Sequence, residues 1–262
     1  MNLYGLALTL VVGLFILIGT LFASKFTDNK RFTDFSISLA FGVILALIVL
    51  ELIPETYEVL RGELSLFKTI ACIIILVLIG IFILKILDSF IPHHEHEAHH
   101  EHKHKNDECH NNHLTHIGLI SASAVILHNI IEGMSLYLVT ASDTVSGLLM
   151  CLGIGLHNIP MGLVIASTLY TSNYSKKNIV IISLIVSLST FVGGLIMFIV
   201  GGVTPLIEGI LLGITLGMLI YILIFELFHQ IYHMENKKIA KLGIILGVVL
   251  LVISIVLGHS IH

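Results

Sequence analysis

The sequence predicts an all-α integral membrane protein of eight transmembrane helices, and two observations carry that reading. Of its 262 residues, 56% are apolar and 11% charged, with no Trp, and the mean hydropathy is +1.02, far above that of a soluble globular domain. The apolar residues also fall in eight runs close to the roughly 20 residues that a helix needs to cross a bilayer. These runs lack strict alternation, which excludes an outer-membrane barrel built from strands of about 10 in/out residues.

The runs are 3–23, 32–54, 66–90, 116–139, 144–170, 178–200, 205–232 and 239–259. The first has no basic segment before its apolar stretch and is kept as a helix instead of a signal peptide. The second ends on the acidic phrase "ELIPE" (51–55), and the fourth and fifth carry "HNIIEG" (128–133) and "HNIPMG" (157–162). The connections are mostly short, so residues 1–262 form a single transmembrane domain. Basic residues orient it. With the N-terminus outside, the inner loops collect eleven of the thirteen Lys and Arg, leaving only Arg61 and Lys68 outside. An even number of spans then puts both termini outside a multi-pass cell-membrane protein. Cys72 and Cys151 fall inside helices as small apolar residues, and Cys109 stands beside loop histidines, so no disulfide framework is indicated.

One connection differs from the rest. Residues 91–115 hold His93, His94, His96, His99, His100, His102, His104, His110 and His113 among acidic neighbours, with almost nothing apolar to bury. Such a segment is expected to be a disordered cytosolic loop that collects borderline divalent cations loosely, since it contains no fixed structural-zinc spacing.

An internal repeat organises the other helices. "GVILALIVLELIPETY" (42–57) aligns with "GMLIYILIFELFHQIY" (217–232), matching Gly42 with Gly217, Glu51 with Glu226 and Tyr57 with Tyr232. The two phrases run in opposite directions through the membrane, the pattern of inverted repeats in transporters. The expected arrangement is 3+2+3, with helices one to three and six to eight bracketing helices four and five.

The doubled HN motif lies in that central pair. His128 and Glu132 share a face at i, i+4 near mid-membrane, and His157 and Met161 repeat the spacing on the antiparallel neighbour. A carboxylate at a helix centre costs about 2.5–3.5 kcal/mol on insertion, so it marks a substrate path or a partner. A divalent cation satisfies these groups together: neutral imidazole nitrogen and carboxylate oxygen suit zinc or ferrous iron. Asn129 and Asn158 are placed to ligate or to hold water, Pro160 is expected to kink helix five beside His157, and Gly133 and Gly162 to admit close helix approach. The bland alternative is a neutral His–Glu hydrogen bond joining helices; the doubling of the motif argues against it. Imidazole ligates only when neutral, so metal affinity is expected to weaken as pH falls through the ordinary imidazole range near 6.5. Equal affinity at about pH 5 and pH 7.5 would count against the site.

With these residues in view, the whole chain resembles the ZIP (Zrt/Irt-like) metal transporters, most closely their bacterial branch. The resemblance implies uptake of zinc, with iron, manganese or cobalt as further substrates, into the cytosol. His128, Asn129 and Glu132 match the family's helix-four ligands, His157 and Asn158 those of helix five, "ELIPE" the acidic pattern ending helix two, and Glu226 its helix-seven counterpart. Two positions depart from the pattern. Met161 replaces the usual helix-five glutamate, and Thr190-Phe191 stands where helix six often carries Glu-Pro. The departures imply one full central site with a second weakened or absent, Met161 either ligating softly or filling space.

Other acidic and imidazole groups suggest a route. Glu51 and Glu55 mark either a way in or simply a solvated helix end, and Glu226, His229 and His233, spaced i, i+3, i+7, suggest a way out toward the His-rich loop. No catalytic residue, cofactor or nucleic acid is expected. The expected partners are the transported ion, the bilayer and, left open, a second copy in a homodimer. A metal exporter, an intramembrane metal-dependent hydrolase and a metal-storage or sensing protein remain as alternatives, although the hydrolase would lack an H-E-x-x-H motif.

Overall fold

Eight long apolar helices succeed one another in the computed structural model, which describes residues 2–26, 29–90, 105–172 and 174–259. They are α1 (Leu3–Ala23), α2 (Lys30–Glu63), α3 (Leu66–Phe90), α4 (Lys105–Ser142), α5 (Thr144–Thr171), α6 (Lys176–Val200), α7 (Pro205–His233) and α8 (Lys237–His259). No strand occurs among the described residues. The protein is an all-α, multi-pass membrane protein.

Polar residues fix where the helices begin. The side chains of Asn2, Asn29, Asp143 and Thr204 each accept a hydrogen bond from a backbone N–H in the first turn of α1, α2, α5 and α7. Asn236 does the same for Lys238 and Ile239 at the start of α8. Each such cap satisfies donors that the helix leaves unpaired and contributes about 1 kcal/mol. At the other end of α6, Gly201 takes φ +82°, a left-handed turn that closes the helix and that only Gly adopts without strain.

Two helices are longer than hydropathy foretells. α2 continues past residue 54 to Glu63, and α4 begins at Lys105 instead of near 116. Residues 105–115 of the expected loop, with His110 and His113, are therefore helical. His93, His94, His96, His99, His100, His102 and His104 lie outside the described residues.

Helices α2, α4, α5 and α7 are the most buried and α3 the least. α4 packs on α5 and α6, α5 also on α1 and α8, α2 on α8, and α7 on α3 and the last part of α2. Bilayer-embedded helices gain little from apolar burial against one another and rely on close van der Waals fit, which small residues permit. A Cβ at Gly133 would run into the Thr190 carbonyl of α6, one at Gly193 into Ile130 of α4, and one at Gly162 into Ile16 of α1. Gly133 and Gly162 thus admit α6 and α1, the helices that clamp the central pair from outside.

Both α2 and α7 widen into a π-helical turn, at Ile48–Leu52 and Ile222–Leu227. There Ile53 N–H reaches the Ile48 carbonyl and Phe228 N–H the Leu223 carbonyl. In α2 the cause is Pro54, which has no N–H for the next bond and would clash with the preceding turn. The two π turns hold Glu51 and Glu226, the glutamates that the internal repeat aligns.

Candidate metal centre

The midpoints of α4 and α5 face each other and bring three of the motif residues to one point. His128 Nε2 lies 3.0 Å and His157 Nε2 2.8 Å from the same oxygen of Glu132, Oε1. Potential ligand atoms from all three lie within 4.8 Å of one another. His128 and His157 are almost fully buried, and Glu132 is 11% exposed. The i, i+4 spacing stacks His128 over Glu132 on one helix face, and the antiparallel α5 supplies His157 from across the interface.

A tetrahedral zinc with bonds near 2.0 Å separates its ligand atoms by about 3.3 Å. The two observed separations fall just short of that, so small side-chain rotations would make room for a cation. The other carboxylate oxygen, Glu132 Oε2, is buried with no hydrogen-bond partner among the described residues. An orphaned buried acceptor costs roughly 1–3 kcal/mol, more when charged, and a metal or its bound water removes that penalty.

The remaining motif residues divide. Asn129 donates its amide to the Val186 carbonyl of α6 at 3.1 Å, while its Oδ1 and both polar atoms of Asn158 are buried without partners among the described residues. Thr190 Oγ1 is likewise buried and has no hydrogen-bond partner among the described residues. Met161 is fully buried within the hydrophobic core cluster. α5 runs through Pro160 as one continuous helix.

A cavity of about 530 Å³ leads to this point, lined by Glu51, Glu55 and Glu58 of α2 on one side and by Ser146, Met150 and His157 of α5 on another. Beneath it a space of about 40 Å³ is bounded by Glu51, Glu55, His128 and Glu132. Glu51 and Glu55 line both spaces, and His157 lines the larger one. The π turn at Ile48–Leu52 places Glu51 in both linings.

A second cluster lies where the ends of α3 and α4 meet α7. His116 Nε2 is 2.6 Å from Asp88 Oδ1 and 3.5 Å from Glu226 Oε1, and Tyr221 donates its hydroxyl to Asp88 Oδ2 at 2.8 Å. The sequence spacing groups Glu226 with His229 and His233; in the structure it turns inward to His116 instead. His229 and His233 are exposed, with ring centroids 4.5 Å apart. Asp88 escapes sequence reasoning, and His116 is visible there only as the last histidine of the His-rich stretch.

Comparison with known proteins agrees with these features. A family model described as "ZIP Zinc transporter" matches residues 1–255. Similar curated proteins include the zinc transporter ZupT of Chlorobaculum parvum, 27% identical over 201 residues, which cover 75% of each chain. Others are the zinc transporters ZupT of Chlorobium limicola and Chlorobium luteolum, 26% and 28% identical over 141 residues. Those two alignments span 53% of either chain, about half the relatives' length. With its eight membrane-spanning helices and a family match that runs nearly end to end, the chain belongs to the ZIP zinc transporter family, a family of transporters and not of enzymes.

Proposed function

We propose that this chain sits in the cell membrane with both termini outside and imports divalent transition metals, zinc foremost, into the cytosol through the α4–α5 site. The observation that carries the reading is the convergence of two imidazole nitrogens on one carboxylate oxygen, with the second carboxylate oxygen unpartnered among the described residues. Two neutral imidazoles and one carboxylate leave a net +1 on a bound M²⁺, which Glu51 and Glu55, bounding the same small space, help to offset. Met161 and Thr190 are neutral where the family pattern has acids, so among the three clustered ligands only Glu132 is charged, and one cation occupies the centre.

The route is built from the same groups. A hydrated cation enters the acidic cavity past Glu58, Glu55 and Glu51, exchanges water for His128, Glu132 and His157, and is then passed inward. Asp88, His116 and Glu226 form the next station, with ligand atoms again within 4.8 Å of one another. Their mutual contacts close the inner side until the metal arrives. The paired π turns, at glutamates that the repeat aligns, support treating α1–α3 and α6–α8 as inverted repeats that rock against α4 and α5.

The test is accumulation of zinc, iron, manganese, cobalt and cadmium, each offered separately, in cells with and without the protein. Import predicts a gain in at least zinc; a fall below the control would establish export instead. The inner station makes a separate prediction. Asp88→Asn combined with Glu226→Gln is expected to lower the maximal uptake rate several-fold while leaving the external zinc KM near wild type, because the variants slow release and not capture. An unchanged maximal rate would remove Asp88 and Glu226 from the path.

A further inference from the structure

We propose that Ser254 of α8 is a positioning residue that fixes the tautomer of His157, leaving Nε2 as the nitrogen whose electron pair is offered to the metal. The proposal rests on the α4–α5 site being the metal's path and adds a residue to which no sequence motif points. Ser254 is buried, and its Oγ lies 3.3 Å from His157 Nδ1. The same hydroxyl donates to the backbone carbonyl of Gly153, one turn before His157 on α5.

A serine hydroxyl carries a single proton, and a carbonyl oxygen only accepts. With its proton committed to Gly153, Ser254 offers only lone pairs toward the imidazole. His157 Nδ1 must therefore carry a hydrogen. In a neutral ring the second nitrogen, Nε2, then holds an electron pair, and it points at Glu132 Oε1 from 2.8 Å. A lone pair facing a carboxylate at that distance is repulsive unless a proton bridges the two, as their hydrogen-bond separation allows. A divalent cation would take that proton's place once the side chains part to zinc-ligand spacing.

The opposite tautomer would make His157 a different residue. A hydrogen on Nε2 would be donated to Glu132, and the pair would become the neutral hydrogen-bonded joint that the sequence leaves as the bland alternative. Ser254 thus decides between ligand and joint. It does so from α8, which packs against both α5 and the acid-bearing α2, and from the wall of the same cavity that His157 lines. Outer partners that orient a metal-binding histidine in this way are typically worth about 10–100-fold in metal affinity.

The test uses the full-length protein, purified and also reconstituted in vesicles. Ser254→Ala is expected to raise the zinc Kd, by chelator competition, and the zinc KM for uptake by about 10- to 100-fold, with the maximal rate held within about two-fold. Ser254→Thr keeps the hydroxyl and is expected to recover most of the affinity. In zinc-loaded wild type with ¹⁵N-labelled histidine, His157, assigned by its loss in His157→Gln, is expected to show a protonated Nδ1 and a zinc-bound Nε2. Wild-type KM and Kd in Ser254→Ala, a folded Ser254→Thr without recovery, or zinc on Nδ1 would overturn the assignment. The spectrum of the wild type decides the matter even where Ser254→Ala does not fold. Should Glu132→Ala also transport zinc normally, the central site itself is at fault and not the role of Ser254.

Discussion

Cells expressing Glu132→Ala are expected to accumulate zinc no faster than cells without the protein. Of the three clustered residues, His128, Glu132 and His157, Glu132 is the acid, and its Oε1 touches both imidazoles, at 3.0 and 2.8 Å. Removing it leaves two neutral nitrogens as the direct ligands of a divalent cation at mid-membrane, with Glu51 and Glu55 bounding the space but not replacing the lost ligand. Loss of an outer partner to a metal ligand costs about 10–100-fold in affinity, and loss of the charged ligand itself lies at or beyond the upper end of that range. Glu132→Gln separates charge from shape. It keeps the side-chain length and can still hydrogen-bond His128 or His157, so the protein is expected to fold and reach the membrane in normal amount while uptake stays near background. Wild-type uptake by Glu132→Gln, at equal expression, would show that the metal does not pass between α4 and α5.

Legibility in the sequence depends on the range of the interaction behind each feature. The eight spans can be read because a bilayer imposes a local rule, about 20 apolar residues in a row. The extensions of α2 to Glu63 and of α4 back to Lys105 cannot, since helical turns beyond the apolar run are polar and leave no mark on hydropathy. His128, Glu132 and His157 are legible because an i, i+4 pair and a repeated HN phrase are local signals. The partners of Glu226 are hidden for a specific reason. The expected i, i+3, i+7 face assumes an unbroken α-helix, whereas the π turn at Ile222–Leu227 inserts one extra residue and rotates the rest of α7 by about 100°. His229 and His233 are carried outward, and Glu226 meets His116 and Asp88, which are far from it along the chain. Ser254 gives no signal at all: a serine inside an apolar helix takes its meaning from the residues across the interface.

Gly133→Ala and Gly162→Ala are each expected to destabilise the folded protein severely, although neither residue binds metal. A Cβ at position 133 would collide with the backbone carbonyl of Thr190, and one at 162 with that of Ile16. A side chain struck by a new methyl group can rotate away, but a carbonyl in the middle of a helix moves only if the helix moves. α6 would have to withdraw from α4, or α1 from α5, along much of their length, and in a bilayer that contact is most of what joins the helices. Overpacking a core that can yield costs about 1–3 kcal/mol; contacts against backbone are expected at or above the top of that range. Gly62→Ala provides the control, since nothing lies within 4 Å of its would-be Cβ. There the substitution only removes freedom from the unfolded chain and is expected to stabilise by about 0.4–1 kcal/mol. Thermal unfolding of the three variants in detergent, monitored by loss of the monodisperse species, distinguishes the cases. A Gly133→Ala protein as stable as Gly62→Ala would mean that α4 and α6 do not touch at Thr190. It would also remove the packing that holds His128 and Glu132 at a fixed distance from His157, because Asn129, between them on α4, ties that helix to Val186 of α6 along the same seam.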